Sequence, residues 1–180
     1  MELVESKLKF IFDDNYWSDL IQFDKHIDYD KVKNAVSETK AVDFIGILNH
    51  NSIFYFEIKN LKNHRIENKE RLNSSADELT TEIAQKVRDS IACILGGYRN
   101  STHDKELWNK ILEFTANKNI FIVLWLEQDN KLNLDKIKIS DYQLKLKSKL
   151  KWLTGISNNI RIYNKVNYKN SNLNINVTDE

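Results

Sequence analysis

Apolar positions along the chain follow two periods. Leu8 to Phe12 and Trp17 to Phe23 are apolar or alternating runs around Asp13-Asp14-Asn15, and they predict two strands joined as an N-terminal hairpin. Asp30 to Thr39 reads as a short helix. AVDFIGIL (Ala41 to Leu48) and IFYFEIK (Ile53 to Lys59) flank the polar break NHNS and predict a second hairpin, rich in β-branched and aromatic residues. Asn60 to Asn73 is polar and charged, a long loop. Leu79, Ile83, Val87, Ile91 and Leu95 recur every four residues, predicting a helix from Asp77 to about Leu95, capped by Ser74 or Ser75 and stopped at Gly96-Gly97. A second helix is expected over Lys105 to Ala116. NIFIVLWLE (Asn119 to Glu127) is apolar at nearly every position, as a strand buried on both faces should be. Ser140 is placed to cap a lysine-rich helix reaching about Leu153, and NIRIYN (Asn159 to Asn164) reads as a last strand. The Asn-rich tail after Tyr168 fits either partial disorder or an edge strand. Strands that alternate with helices in this order predict an α/β fold, a central mixed sheet flanked by helices.

Composition narrows the class. With 180 residues, 41% hydrophobic and 29% charged, the chain has the size and make-up of one globular domain. No apolar run approaches the roughly 20 residues that cross a bilayer, and MELVESKLKF lacks the basic start of a signal peptide, so a cytoplasmic protein with no membrane partner is expected. One cysteine, Cys93, excludes an internal disulfide and fits a small core residue. The formal charge of +1 hides a gradient. Met1 to Asp43 holds ten acids against six lysines, whereas Asp135 to Lys169 holds nine basic residues against two acids. That asymmetry suits a polyanion on one side and cations elsewhere, although lysine runs are commonly only solvated faces.

The second hairpin carries the readable chemistry. Glu57 and Lys59 are two apart on a strand and leave the same face. If Asn49-His50-Asn51 forms a three-residue loop, Leu48 pairs with Ser52 and Asp43 stands opposite Glu57. Cross-strand neighbours lie about 4.5 to 5.5 Å apart at Cβ, near enough for two carboxylates to share one hard cation. A four-residue loop would turn the two acids to opposite faces. The bland alternative is an ion pair of Lys59 with either acid at a sheet edge. His26, His50, His64 and His103 show no metal-ligand spacing, and Trp17, Trp108, Trp125 and Trp152 read as core aromatics.

Asp43, thirteen residues, then Glu57-x-Lys59 on a hairpin (VDFIGIL and YFEIKN), followed by a helix and a buried strand, resembles the PD-(D/E)XK nuclease superfamily. The resemblance spans about residues 30–127, with an N-terminal strand counted as the first of the core, and leaves a basic extension over about 135–180. Val42 stands in the place of the proline, and Gln85 is followed by Asp89 where many relatives carry tyrosine. It implies a restriction-endonuclease-like fold and metal-dependent hydrolysis of nucleic acid, with DNA the expected substrate, and a homodimer is among the possible assemblies. Asp43, Glu57 and the Ile58 carbonyl would hold Mg²⁺ or Mn²⁺. Lys59 would either deprotonate water, its pKa lowered by nearby cations, or hold the scissile phosphate. Glu38 is a candidate for a further acid. On the helix after the motif, Glu82, Gln85, Lys86 and Asp89 lie around the side away from the apolar stripe, and Gln85 or Lys86 could reach a phosphate. Lys145 and Lys149 of the later helix would meet flanking phosphates if that helix sits beside the site. The alternative is a catalytically inactive binding module or structural partner on the same fold.

Overall fold

The computed structural model describes residues 1–62, 76–128, 136–153 and 159–180. The elements are β1 (Glu2–Glu5), β2 (Leu8–Phe12), β3 (Trp17–Gln22), α1 (Ile27–Ala35), β4 (Phe44–Leu48), β5 (Ser52–Asn60), α2 (Ala76–Asn100), α3 (Lys105–Asn117), β6 (Asn119–Glu127), α4 (Lys136–Lys149), β7 (Ile160–Tyr163) and β8 (Ile175–Asp179). They form a mixed five-stranded sheet in the order β3-β4-β5-β6-β7 and a three-stranded sheet in the order β1-β2-β8. In the larger sheet β3, β4 and β5 are antiparallel, whereas β5-β6 and β6-β7 are parallel. Parallel neighbours need a crossover, and α2 with α3, then α4, lie on those connections.

Each face of the large sheet is covered by a different layer. Along β5, Ile53 and Tyr55 join the core with Ile83 and Val87 of α2, Ile111 of α3 and Leu146 of α4. Phe54, Phe56 and Ile58 alternate to the other face and meet Leu8, Phe10 and Phe12 of the small sheet. Phe12 stands edge-on to Trp17 (5.1 Å between centroids) and to Phe56 (5.9 Å), the geometry that ring quadrupoles favour. β6 is buried on both faces, as its continuous apolar run predicts: Ile122, Leu124 and Leu126 face the helices, and Val123 and Trp125 face the small sheet.

Several local expectations are overturned. The N-terminal hairpin does not form. β2 pairs with β1 and β8, and β3 leaves for the other sheet, because the turn after Phe12 carries the chain across the aromatic layer instead of back along β2. β1 carries no local signal, since its turn is Ser6-Lys7, both at positive φ, where Asn or Gly is the usual mark. The first helix begins at Ile27, earlier than Asp30, since His26 caps it by accepting the Asp28 N–H on Nδ1 (3.1 Å). Ser140 lies inside α4, which begins at Lys136, and not at its N-cap. Leu95 and Trp152 are exposed, not core. The tail takes the second of its two options, as edge strand β8. Ser74, Ser75 and most of the 60–73 loop fall outside the described residues.

α2 also runs through Gly96-Gly97 to Asn100. Gly97 is there for packing: a Cβ on it would stand 2.8 Å from Trp108 Nε1. Trp108 is fully buried and its Nε1–H donates to Asp28 (2.8 Å), so the indole cannot retreat cheaply. Gly97→Ala is expected to destabilise the fold by about 1–3 kcal/mol despite alanine's better helix propensity, read as a lower urea midpoint. An unchanged or higher midpoint would show that the helix and indole relax freely.

Candidate active site

The polar break between β4 and β5 fixes the site's register. Asn51 N–H donates to Leu48 O (3.1 Å), with Asn49 and His50, rather than Asn51, in the left-handed region. The strands then pair from Leu48↔Ser52 to Phe44↔Phe56, as the three-residue loop requires. Asp43 is the next residue outward. Its N–H donates to Phe56 O (2.9 Å), its carbonyl accepts the Phe23 N–H (2.8 Å), and its Oδ2 accepts the Ile58 N–H (2.6 Å). Three backbone bonds therefore hold Asp43 beside Glu57.

Both acids are buried, at 6% and 1% exposure, on the face covered by α2. Lys86 of α2 reaches down between them: its Nζ is 2.7 Å from Glu57 Oε1 and 3.5 Å from Asp43 Oδ1, and it donates to Glu57 Oε2 at 2.8 Å. Lys59 Nζ lies 3.0 Å from Glu57 Oε1 and 2.9 Å from Glu82 Oε1. One further turn along α2, Ser90 Oγ accepts the Val42 N–H (3.0 Å), pinning the strand just before Asp43.

Glu82, Lys86 and Ser90 thus recur every four residues and face the sheet. The expectation that Glu82 and Lys86 lie on the side away from the stripe is corrected. Their stripe borders the apolar one, and long side chains at its edge reach inward while their stems pack. Gln85 and Asp89 lie on the other flank, where Gln85 accepts from Lys40 Nζ (2.8 Å) and Asp89 from the Lys40 backbone N–H (3.1 Å).

Electrostatics follow from that crowding. Three carboxyl groups (Asp43, Glu57, Glu82) meet two ammoniums (Lys59, Lys86) in a place with little water, so a proton on Glu57 balances the set. Burial, and then the charge of Asp43, push the Glu57 carboxyl up to about 7, against the pull of the two lysines. Burial also raises Asp43, opposed chiefly by Lys86. For Lys59, burial favours the neutral amine, but Glu57 and then Glu82 outweigh it and hold its pKa above the ordinary value. With these partners alone Lys59 is held as a cation. Asp24, in the turn after β3, was not singled out by sequence. Burial, then Asp43 and Glu5, raise it to about 6, and its Oδ1 is buried with no hydrogen bond among the described residues.

The donor set suits a hard divalent cation. Asp43 and Glu57 offer oxygen ligands from two adjacent elements on one face, and Glu57 Oε1 already attracts positive charge, with Lys86 Nζ at 2.7 Å and Lys59 Nζ at 3.0 Å. Ile58 contributes through its N–H to Asp43; its side chain lies on the opposite face.

The remaining candidates lie elsewhere. Glu38 is exposed at positive φ and, with Val36, Lys40, Gln85, Asp89 and Cys93, lines a cavity of about 810 Å³ between α1 and α2. Lys145 pairs with Asp141 (3.2 Å) and Lys149 with Asp77 at the start of α2 (2.9 Å). His64 is outside the described residues. His26, Asp28 and Asp104 do gather, with ligand atoms all within 4.8 Å of one another. However, Asp28 is already taken by Lys31 (2.8 Å) and Trp108 (2.8 Å), and the N-termini of α1 and α3 direct positive dipole ends at the group. Of the three, His26 caps α1, and Asp28 holds Lys31 and Trp108. Among the described residues no helix is long and apolar enough to cross a membrane. Comparison of the chain with protein families, with curated proteins and with solved structures finds no match.

Proposed function

We propose that the chain is a metal-dependent nuclease, hydrolysing phosphodiester bonds of nucleic acid, DNA by its resemblance to the PD-(D/E)XK superfamily, on a restriction-endonuclease-like core. The observation that carries this reading is the convergence of Asp43, Glu57 and Lys59 on one buried point. An arrangement kept only for stability would be expected to give way to apolar groups, since desolvated ion pairs contribute little.

Asp43 and Glu57, with the Ile58 backbone, would hold Mg²⁺ or Mn²⁺. Such a cation, when bound, supplies charge for the phosphate oxygens and lowers the pKa of water. Lys59, held by Glu57 and Glu82, would either bind the scissile phosphate or deprotonate the attacking water. Asp43, tied by three backbone bonds, sets the distance between the hairpin strands and so the ligand spacing. Glu82 orients Lys59. Lys145 and Lys149 of α4, paired here with Asp141 and Asp77, would have to exchange those partners to carry flanking phosphates, which would give salt-sensitive affinity without sequence preference.

A second reading, an inactive binding module, is favoured by the direct contacts of Lys59 and Lys86 with Glu57. Incubation of the protein with plasmid and single-stranded DNA in Mn²⁺ separates the two, with Lys59→Ala as control. Cleavage by the wild type that Lys59→Ala abolishes supports the nuclease; absence of cleavage across both substrates supports the module.

A further inference from the structure

Lys86 occupies a position that its chemistry alone does not require. Its ammonium sits between the two buried carboxylates, 2.7 Å from Glu57 Oε1 and 3.5 Å from Asp43 Oδ1, which is the ground a shared divalent cation would need. A monovalent and a divalent cation cannot both stand there, since like charges a few ångströms apart in a buried setting repel strongly. The lysine also has somewhere else to go. Glu82 is one helical turn earlier on α2, about a third exposed and already beside Lys59, and the Glu-to-Lys order at i, i+4 is the favourable one on a helix. Lys86 itself keeps a partly exposed side chain.

We infer that Lys86 is a resident counter-cation of the carboxylate pair, which a divalent cation displaces toward Glu82, so that metal entry and release of Lys86 are one event. The inference rests on Asp43 and Glu57 being the cation ligands. It assigns Lys86 a positioning and gating role distinct from that of Lys59, which already leans on Glu82 and touches Glu57 from the other side. It also accounts for an acidic pair surviving burial in the metal-free fold: the ammonium supplies a positive charge there until a stronger one arrives.

The test is Mn²⁺ affinity, measured by calorimetry on the wild type, Lys86→Met, Lys86→Gln and Asp43→Asn, with no nucleic acid present. Lys86→Met, which keeps the stem and loses the charge, should bind Mn²⁺ about tenfold more tightly than wild type or better. Lys86→Gln should behave the same way and covers the case in which the methionine variant folds poorly. In the wild type, the Lys86 Nζ resonance should shift with added Mg²⁺ at the midpoint of binding. Equal or weaker Mn²⁺ affinity in both Lys86 variants, or a Lys86 resonance unmoved at saturating Mg²⁺, overturns the inference while leaving the metal site standing if Asp43→Asn still abolishes binding. Failure of wild type and variants alike to bind Mn²⁺ removes the metal site and the inference together.

Discussion

Asp43→Asn and Glu57→Gln are each expected to lower metal-dependent cleavage by about a hundred- to a thousandfold while leaving a folded protein. Both changes remove a ligand charge with almost no change in shape. Asparagine can still accept the Ile58 N–H that Asp43 Oδ2 accepts at 2.6 Å, so the hairpin register survives. Alanine at position 43 is a poorer probe, because it leaves that buried N–H unpaired at a cost of about 1–3 kcal/mol and confounds chemistry with stability. Initial rates on plasmid in Mn²⁺, beside a thermal melt of each variant, give the comparison. A variant that melts like the wild type and cleaves normally would place the reaction elsewhere in the chain.

The metal-free protein is expected to lose stability as pH rises from about 4.5 to about 7. Burial and the neighbouring Asp43 charge lift Glu57 from its ordinary 4.5 to about 7 in the folded state. Between those values the native protein holds a proton that the unfolded chain has released. The contribution of neutral Glu57 is therefore fully present below pH 4.5 and lost as pH passes 7, on the order of 3 kcal/mol across the window. Asp24, raised to about 6 and only half-buried, adds a smaller effect of the same sign. Asp28 works in the opposite sense and in another range. Its partners Lys31 and Trp108 outweigh burial and lower it to about 2, so its contribution is lost only as pH falls from the ordinary 3.8 toward 2. Urea unfolding with chelator at pH 5 and pH 7.5 measures the slope, and Glu57→Gln should flatten it. A wild-type slope of zero or of opposite sign would mean that the lysines, not burial, set the state of Glu57.

Much of the fold was legible because the relevant signals are local. The period-two run from Ile53 to Lys59, the four-residue spacing on α2 and the all-apolar β6 each express the burial their elements reach. Even the nearness of Asp43 to Glu57 could be counted outward from a three-residue loop, although the ladder itself ends at Phe44↔Phe56. What sequence hid was set by distant partners. The small sheet depends on β8 pairing with β2 across almost the whole chain, and no local pattern encodes that. Gly96-Gly97 looked like a helix stop because glycine usually is one, whereas here the missing Cβ makes room for Trp108. Lys86 and Glu82 read as a solvated flank, since an ion pair with Glu57, on a strand 29 residues away from Lys86, leaves no periodic trace. The one available clue was positional: Glu82, Lys86 and Ser90 repeat every four residues alongside the apolar stripe, so their roots were bound to lie near the sheet.

The proposed metal centre, on which the nuclease reading depends, can be tested directly by diffraction from crystals grown in Mn²⁺, with data collected at the manganese absorption edge. An anomalous peak is expected within ligand distance, about 2 Å, of oxygens from both Asp43 and Glu57, with Lys86 Nζ withdrawn toward Glu82. Full occupancy of Lys86 between the two carboxylates and no anomalous peak, at a Mn²⁺ concentration well above that used for cleavage, would contradict that expectation.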